Sequence, residues 1–173
     1  MAETTSILTQ QHKTPYGTLL LGAYESSLCL CDWLTRSNRA SIDKRIQRYL
    51  KAKYEPQACP TTDTAIKQLN AYFAGGKPVF ELPLLLLGSD FQQAVWQRLQ
   101  KIPYGSTTSY RQLAQQINKP SAARAVANAN NANALSIFVP CHRVIGSDGA
   151  LSGYAGGLAT KRTLLKLEQA ARR

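Results

Sequence analysis

The stretch "SYRQLAQQINKPSAARAVANAN", residues 109–130, decides how the second half of this chain is read. It predicts a first helix from about Ser109 to Ile117, a turn at Asn118-Lys119-Pro120, and a second helix that Ser121 caps. The proline cannot continue the first helix, and a serine before an alanine run is a helix-start signal. That length and punctuation describe a helix-turn-helix. The second helix carries almost no side-chain bulk: Ala122, Ala123, Ala125, Ala127 and Ala129 surround a solitary Arg124. Such a face lets a backbone come close to another surface, with one long cation projecting from it. Close helix–helix packing is the plainer explanation of an alanine-rich face taken alone.

Charge shifts that balance. The chain has 173 residues and a formal net charge of +11. Residues 1–87 carry ten Lys/Arg against seven Asp/Glu, whereas residues 88–173 carry eleven against three. A basic half built around a helix-turn-helix is the electrostatic footprint of a polyanion partner, and it points the alanine face toward a groove of DNA. With 44% hydrophobic and 18% charged residues the composition is that of a globular protein. The longest apolar run, "LPLLLLG", is too short to span a bilayer, and the N-terminal residues lack the pattern of a secretory signal. Four cysteines without an export signal suggest free thiols in a reducing, cytoplasmic setting.

Working outward, "SDFQQAVWQRLQKI" (89–102) reads as a helix capped at Ser89 or Asp90, with Phe91, Val95, Leu99 and Ile102 on one face. The last segment, "LATKRTLLKLEQAARR" (158–173), is also helical. Before residue 88 the pattern is mixed. "SILTQQH", "TLLLGAY" and "LCLCDWL" are strand-like runs divided by turn formers. "SIDKRIQRYLKAKY" (41–54) reads as one basic amphipathic helix. "TTDTAIKQLNAYFAGG" (61–76) reads as a second, started by a Thr/Asp cap and stopped by glycines, and 77–88 reads as a linker. The expected class is therefore α/β, in the α+β sense, with an N-terminal unit 1–87 and a C-terminal unit 88–173.

Chemistry concentrates at "SIFVPCHRVIG" (136–146), where a β-branched run ends at Pro140 and Cys141-His142-Arg143 follow without a spacer. A thiol becomes a strong nucleophile only as the thiolate, and His142 is the nearest base in sequence. Neighbouring strand residues face opposite sides, so a Cys–His partnership requires either a turn or an intervening water. A histidine base needs a third group to fix its tautomer. Glu168 lies four residues after Leu164 and three after Leu165, on the apolar face of the last helix, and it is the sole acid after Asp148. An edge glutamate reaching solvent is the commoner situation for that spacing. Cys29, Cys31, Cys59 and His12 lack zinc-site spacing and read as packing residues, and no glycine-rich dinucleotide fingerprint is present.

These residues carry a resemblance. "PCHRVIG", with Asn133 eight residues before the cysteine, "LSGYAGG" and "LLKLE" after it, is similar to the DNA O6-alkylguanine alkyltransferases, over the whole C-terminal half. The resemblance implies an RNase H-like N-terminal domain and a winged-helix-like C-terminal domain with the helix-turn-helix. It implies direct-reversal repair of double-stranded DNA by a monomer that needs no cofactor or metal. The alkyl group of O6-alkylguanine, and of O4-alkylthymine, passes once to Cys141. By the same resemblance His142, through a water, and Glu168 draw off the thiol proton, and Asn133 braces the turn. Arg124 fills the stack left by an extruded base. Tyr110 crowds the phosphate and contacts the guanine, and the helix of Ala122, Ala123 and Ala127 lies in the minor groove. The carbonyls of Cys141 and Val144 take the guanine amino group, the Ala155 amide approaches O6, Tyr154 walls the pocket, and Lys161 supplies a cation.

Three positions depart from the family pattern: Ala134 follows Asn133 where proline is usual, Ala127 replaces a common glycine, and Ser136 stands where some members have proline. Three other readings compete. One is a cysteine hydrolase, which needs a histidine from elsewhere in the chain, and His12 lies in an unrelated N-terminal strand. A lesion-binding protein without chemistry would lack the cysteine. A winged-helix DNA-binding regulator would leave Cys141, His142 and Glu168 without a purpose.

Overall fold

The computed structural model describes residues 5–172, and the chain divides between Leu87 and Gly88 into two compact units. The first unit is a four-stranded sheet with two helices. β1 (Ile7–Thr14), β2 (Gly17–Tyr24) and β3 (Ser27–Trp33) form an antiparallel meander. Its first turn is the two residues Pro15 and Tyr16, closed by the Thr14 hydroxyl, which donates to Gly17 O at 2.7 Å and accepts from Tyr16 N at 3.1 Å. α1 (Arg39–Leu50) follows, then β4 (Tyr54–Pro56) and α2 (Pro60–Phe73). β4 lies parallel to β1, giving the order β3-β2-β1-β4. Ile7, Leu19, Leu21, Leu30, Ile46 and Leu69 are completely buried and make the core. Their burial, at ~25 cal/mol per Å² of apolar surface, is what holds sheet to helices.

Two expectations for this unit are corrected. The basic helix does not run to Tyr54. It stops at Leu50 because Lys51 turns left-handed (φ 50°), and Tyr54 then pairs with Ile7 as part of β4. α2 starts at Pro60, one residue before the stretch that carries its Thr/Asp signal; its N-cap is Cys59, and the Thr62 hydroxyl accepts from Cys59 N at 3.1 Å. The linker is extended in part, as its prolines suggest: Leu28 N donates to Pro83 O at 2.8 Å and Leu85 N to Leu28 O at 2.9 Å, so 83–85 lies along the start of β3.

The second unit is mainly helical: α3 (Asp90–Leu99), β5 (Thr108–Ser109), α4 (Tyr110–Gln116), α5 (Ala123–Asn131), β6 (Val144–Ile145) and α6 (Leu158–Arg172). α3 and α4 begin with the same device. The Ser89 hydroxyl accepts from Gln92 N and the Gln92 side chain accepts from Ser89 N; Ser109 and Gln112 repeat the exchange. Each box satisfies two of the amide groups a helix start leaves without partners. α5 has no such cap. Its N-cap is Ala122 and not Ser121, and the chain enters it through Asn118 at φ 62°. Trp96 of α3 is buried and donates its indole N–H to Ala129 O at 2.8 Å, which ties α3 to α5. Among the described residues no helix is long and apolar enough to cross a membrane.

Candidate active site

The run before the cysteine is not a plain strand. Phe138 N donates to Ser136 O at 2.9 Å around Ile137, whose φ of 75° is a left-handed value that β-branched residues rarely adopt. Cys141 N then donates to Val139 O at 2.8 Å around Pro140, at φ −80° and ψ 66°. Both are three-residue γ-turns, the second of the common inverse kind. Pro140 suits it because its ring fixes φ near the required value and the missing N–H is not needed. Asn133 spans the pair of turns: its side chain donates to Val139 O at 2.8 Å and accepts from Leu135 N at 3.0 Å. Ala134 in place of proline leaves that span intact.

Cys141–Arg143 is one turn of 3-10 helix, closed by Arg143 N to Pro140 O at 3.0 Å and by Val144 N to Cys141 O. A turn, one of the two alternatives the sequence leaves open, is what the chain adopts here. Consecutive residues of a 3-10 turn fan out by about 120° rather than alternating. Cys141 is 4% exposed and His142 fully buried.

Glu168 is buried, not at the edge of its helix. One carboxylate oxygen bonds His142 Nε2. The other accepts from Arg143 Nε at 2.7 Å and from Gly105 N at 3.1 Å. Each of these partners can donate, as an ionised carboxylate requires. With its Nε2 proton committed to Glu168, a neutral His142 carries its basic lone pair on Nδ1. Burial holds this imidazole below its usual pKa. The Glu168 hydrogen bond and charge pull the other way, and the Arg143 and Lys161 cations reinforce burial. The downward direction follows because the desolvation of a completely buried ring outweighs what Glu168 returns. A neutral, oriented base is the result.

Arg143 is the residue sequence reasoning missed. Besides Glu168 it bonds Ile102 O at 2.8 Å and lies 5.6 Å from the Tyr104 ring centroid, so it clamps the segment after α3 to α6. Its position directly after Cys-His was visible; its partner was not. Lys161 is buried and donates to Ser152 O at 3.0 Å and Gly153 O at 3.3 Å. Burial lowers its pKa while Cys141 opposes the shift, so this cation lies within electrostatic reach of the thiol. Tyr110, first residue of α4, donates its hydroxyl to the same Ser152 O at 2.9 Å. Tyr154 presents its ring edge-on to His142, with centroids 6.4 Å apart.

The structure therefore gathers Cys141, His142, Glu168, Asn133, Lys161, Tyr110, Tyr154 and Val144 around one short turn. Arg124 is exposed on α5, and Ala122, Ala123 and Ala127 are half-buried on or beside the same helix. Ala155 is half-buried in the segment that Lys161 holds. Elsewhere, burial pushes Cys29 up to about 12 and Cys31 well above the usual thiol range, and His12 bonds Asn70. Among the described residues no cluster of histidine, cysteine and acid is set to hold a metal.

This constellation has counterparts. The sequence model of the 6-O-methylguanine DNA methyltransferase DNA-binding domain matches residues 90–170. A methylated-DNA–protein-cysteine methyltransferase of Mycobacterium bovis is 51% identical over 142 residues, covering 79% of this chain and 86% of its own. One from Methanosarcina barkeri is 45% identical over 157 residues, covering 91% and 94%. The crystal structure of Mycobacterium tuberculosis OGT in complex with DNA superposes with a TM-score of 0.82 at 42% identity, over 95% of this chain and 94% of that one. Identity at this level over both units, and not the cysteine turn alone, places the chain in the methylated-DNA–protein-cysteine methyltransferase family.

Proposed function

We propose that this protein performs direct-reversal repair of DNA, moving the alkyl group of O6-alkylguanine in duplex DNA, and that of O4-alkylthymine, to its own Cys141. The observation that carries this reading is the thiol held on a tight turn beside a neutral His142 whose other nitrogen is fixed by Glu168. His142 Nδ1, through a water, takes the thiol proton, and Glu168 stabilises the imidazolium that forms. The thiolate attacks the alkyl carbon, the carbon–O6 bond breaks, and its electron pair returns to the guanine. The base regains a proton, so the proton removed from the thiol balances the one the guanine needs. Lys161 favours the thiolate by its charge.

The target must leave the helix to reach a nucleophile this deeply placed. In this reading α5 enters the minor groove, where Ala122, Ala123 and Ala127 allow close approach and Arg124 takes the vacated stack. Tyr110 crowds the phosphate and contacts the base, Tyr154 walls the pocket, and the Ala155 amide meets O6. The Cys141 and Val144 carbonyls face the amino group. The meander with a parallel fourth strand suits an RNase H-like unit, and α4–α5 with β5–β6 a winged-helix-like one. The protein acts as a monomer in the cytoplasm, on the nucleoid.

A thioether has no ionisable proton and is a poor leaving group, so each chain reacts once. Limiting protein mixed with excess O6-methylguanine duplex is expected to plateau near one repaired base per chain, with added mass on the peptide holding Cys141. Cys141→Ala is expected to bind duplex and transfer nothing. Sustained turnover, or transfer by the alanine variant, would reject the reading.

A further inference from the structure

Positive charge in the first unit is confined to one place. Seven of its ten Lys/Arg, against two of its seven Asp/Glu, fall between Arg36 and Glu55, so the rest of the unit carries more acid than base. Arg36 and Arg39 are held by the buried Asp32, and Arg39 by Asp43 as well. Lys44, Arg48, Lys51 and Lys53 are exposed, and among the described residues none of the four has an acidic partner. Lys44 and Arg48 stand one turn apart on α1, and Lys51 and Lys53 carry the row past the helix end. All four line a single groove of about 630 Å³. The Arg48 guanidinium lies over the exposed Tyr49 ring, 5.7 Å from its centroid, which steadies it at the surface.

The needs of the fold do not account for this row. Like charges one turn apart weaken a helix. The negative end of the helix dipole favours Arg48 and Lys51, but that effect fades within the last turn and leaves Lys44 without a reason. We propose that the row is a second DNA-binding surface: a sequence-independent seat for the phosphates of duplex DNA, carried by the first unit and separate from α4 and α5. Ile42 and Ile46 fix the opposite face of α1 in the core, so the cations stand on a rigid support. For the same reason α1 has no free apolar face with which to enter a membrane surface. Gln47, the amide in the groove, is engaged with Asp43 O at 3.2 Å and Tyr54 N at 3.4 Å, so the groove offers chiefly charge. Cations of this kind bind phosphates and position a protein without reading bases. Held by two surfaces, the chain stays longer on undamaged duplex.

The test is equilibrium binding of the full-length protein to an undamaged duplex over a salt series, followed by fluorescence anisotropy. Two triple variants each remove three positive charges from the first unit. One takes them from the row, by Lys44→Gln, Arg48→Gln and Lys51→Gln. The other takes them from exposed positions elsewhere, by Lys13→Gln, Lys67→Gln and Lys77→Gln. The row variant is expected to bind roughly ten-fold or more weakly at about 0.1 M salt and to flatten the log–log salt slope by about one to three. The other variant is expected to stay within about two-fold of the native chain and to keep its slope. Equal losses in both would mean attraction by net charge alone, and no loss in the row variant would mean docking through the second unit alone; either overturns the proposal. Vesicles of phosphatidylglycerol that bind the native chain but not the row variant, with duplex binding unchanged, would assign the row to a lipid surface and overturn it too. Both variants are expected to melt as the native chain does. Should the row triple melt early, Lys44→Gln with Lys53→Gln, both outside the last turn of α1, is read in its place against Lys13→Gln with Lys67→Gln. The duplex is undamaged, so the result stands whether or not Cys141 accepts an alkyl group.

Discussion

His142 carries its consequence in pH. The unfolded imidazole titrates near about 6.5, and the buried one lies below that value. Between the two values the unfolded state binds more protons, so stability rises with pH there. The contribution is full above about 6.5 and is lost as pH falls through the native value. Transfer follows the native ring: the single-turnover rate is expected to show no half-loss at 6.5, its acid limb lying lower. A rate that halves at 6.5 would mean that His142 is not the base or is not held neutral. The cysteines behave differently again. Cys29 and Cys31 are buried with raised pKa values, which agrees with reading them as packing residues and leaves Cys141 as the thiol with a base beside it.

At the scale of elements, the entrance to α3 leaves no room for a side chain at Gly88. A methyl group on Gly88 would sit 2.4 Å from the Trp96 ring and 2.5 Å from the Gln92 oxygen that caps Ser89. Gly88→Ala must therefore push the indole off Ala129 or break the capping box. It is expected to cost about 1–3 kcal/mol, the range for overpacking. Ser109→Ala, which removes only a cap from α4, is expected to cost about 1 kcal/mol. Thermal melts of the two variants check the order, and an unchanged melting point for Gly88→Ala would show that Trp96 can move away. The same elements explain what the sequence could tell. α3 and α4 were legible because Ser-x-x-Gln and the apolar spacing are local signals. β4 was not, because three residues become a strand only when β1 lies beside them. The γ-turns at Ile137 and Pro140 looked like the end of a strand, since a β-branched run has the same composition in either shape. Arg143 was hidden for a related reason: its partner, Glu168, is brought to it by folding.

For the molecule as a whole, only part of the second unit's positive charge is open to a partner. In the second unit Arg143 is spent on Glu168 and Lys161 is buried, so neither faces a partner. Arg111, Lys119 and Arg124, on or between α4 and α5, are exposed, as are Lys101, Arg162 and Lys166. Cations that displace counterions from phosphates make log affinity fall with log salt, by about 0.9 per phosphate neutralised. Duplex binding by the full chain is therefore expected to weaken steeply with salt, and Arg111→Ala or Lys119→Ala to flatten that slope by up to about one each. Arg124→Ala separates docking from chemistry. If its side chain fills the stack left by the extruded base, its loss slows repair in duplex DNA by roughly one to two orders of magnitude, the rate equivalent of part of an unstacking cost. Reaction with free O6-alkylguanine, which needs no extrusion, is expected to keep its native rate, because Cys141, His142 and Glu168 are untouched. Single-turnover rates on the two substrates decide it. Equal losses on both would mean that Arg124 supports the folded unit rather than the opened duplex.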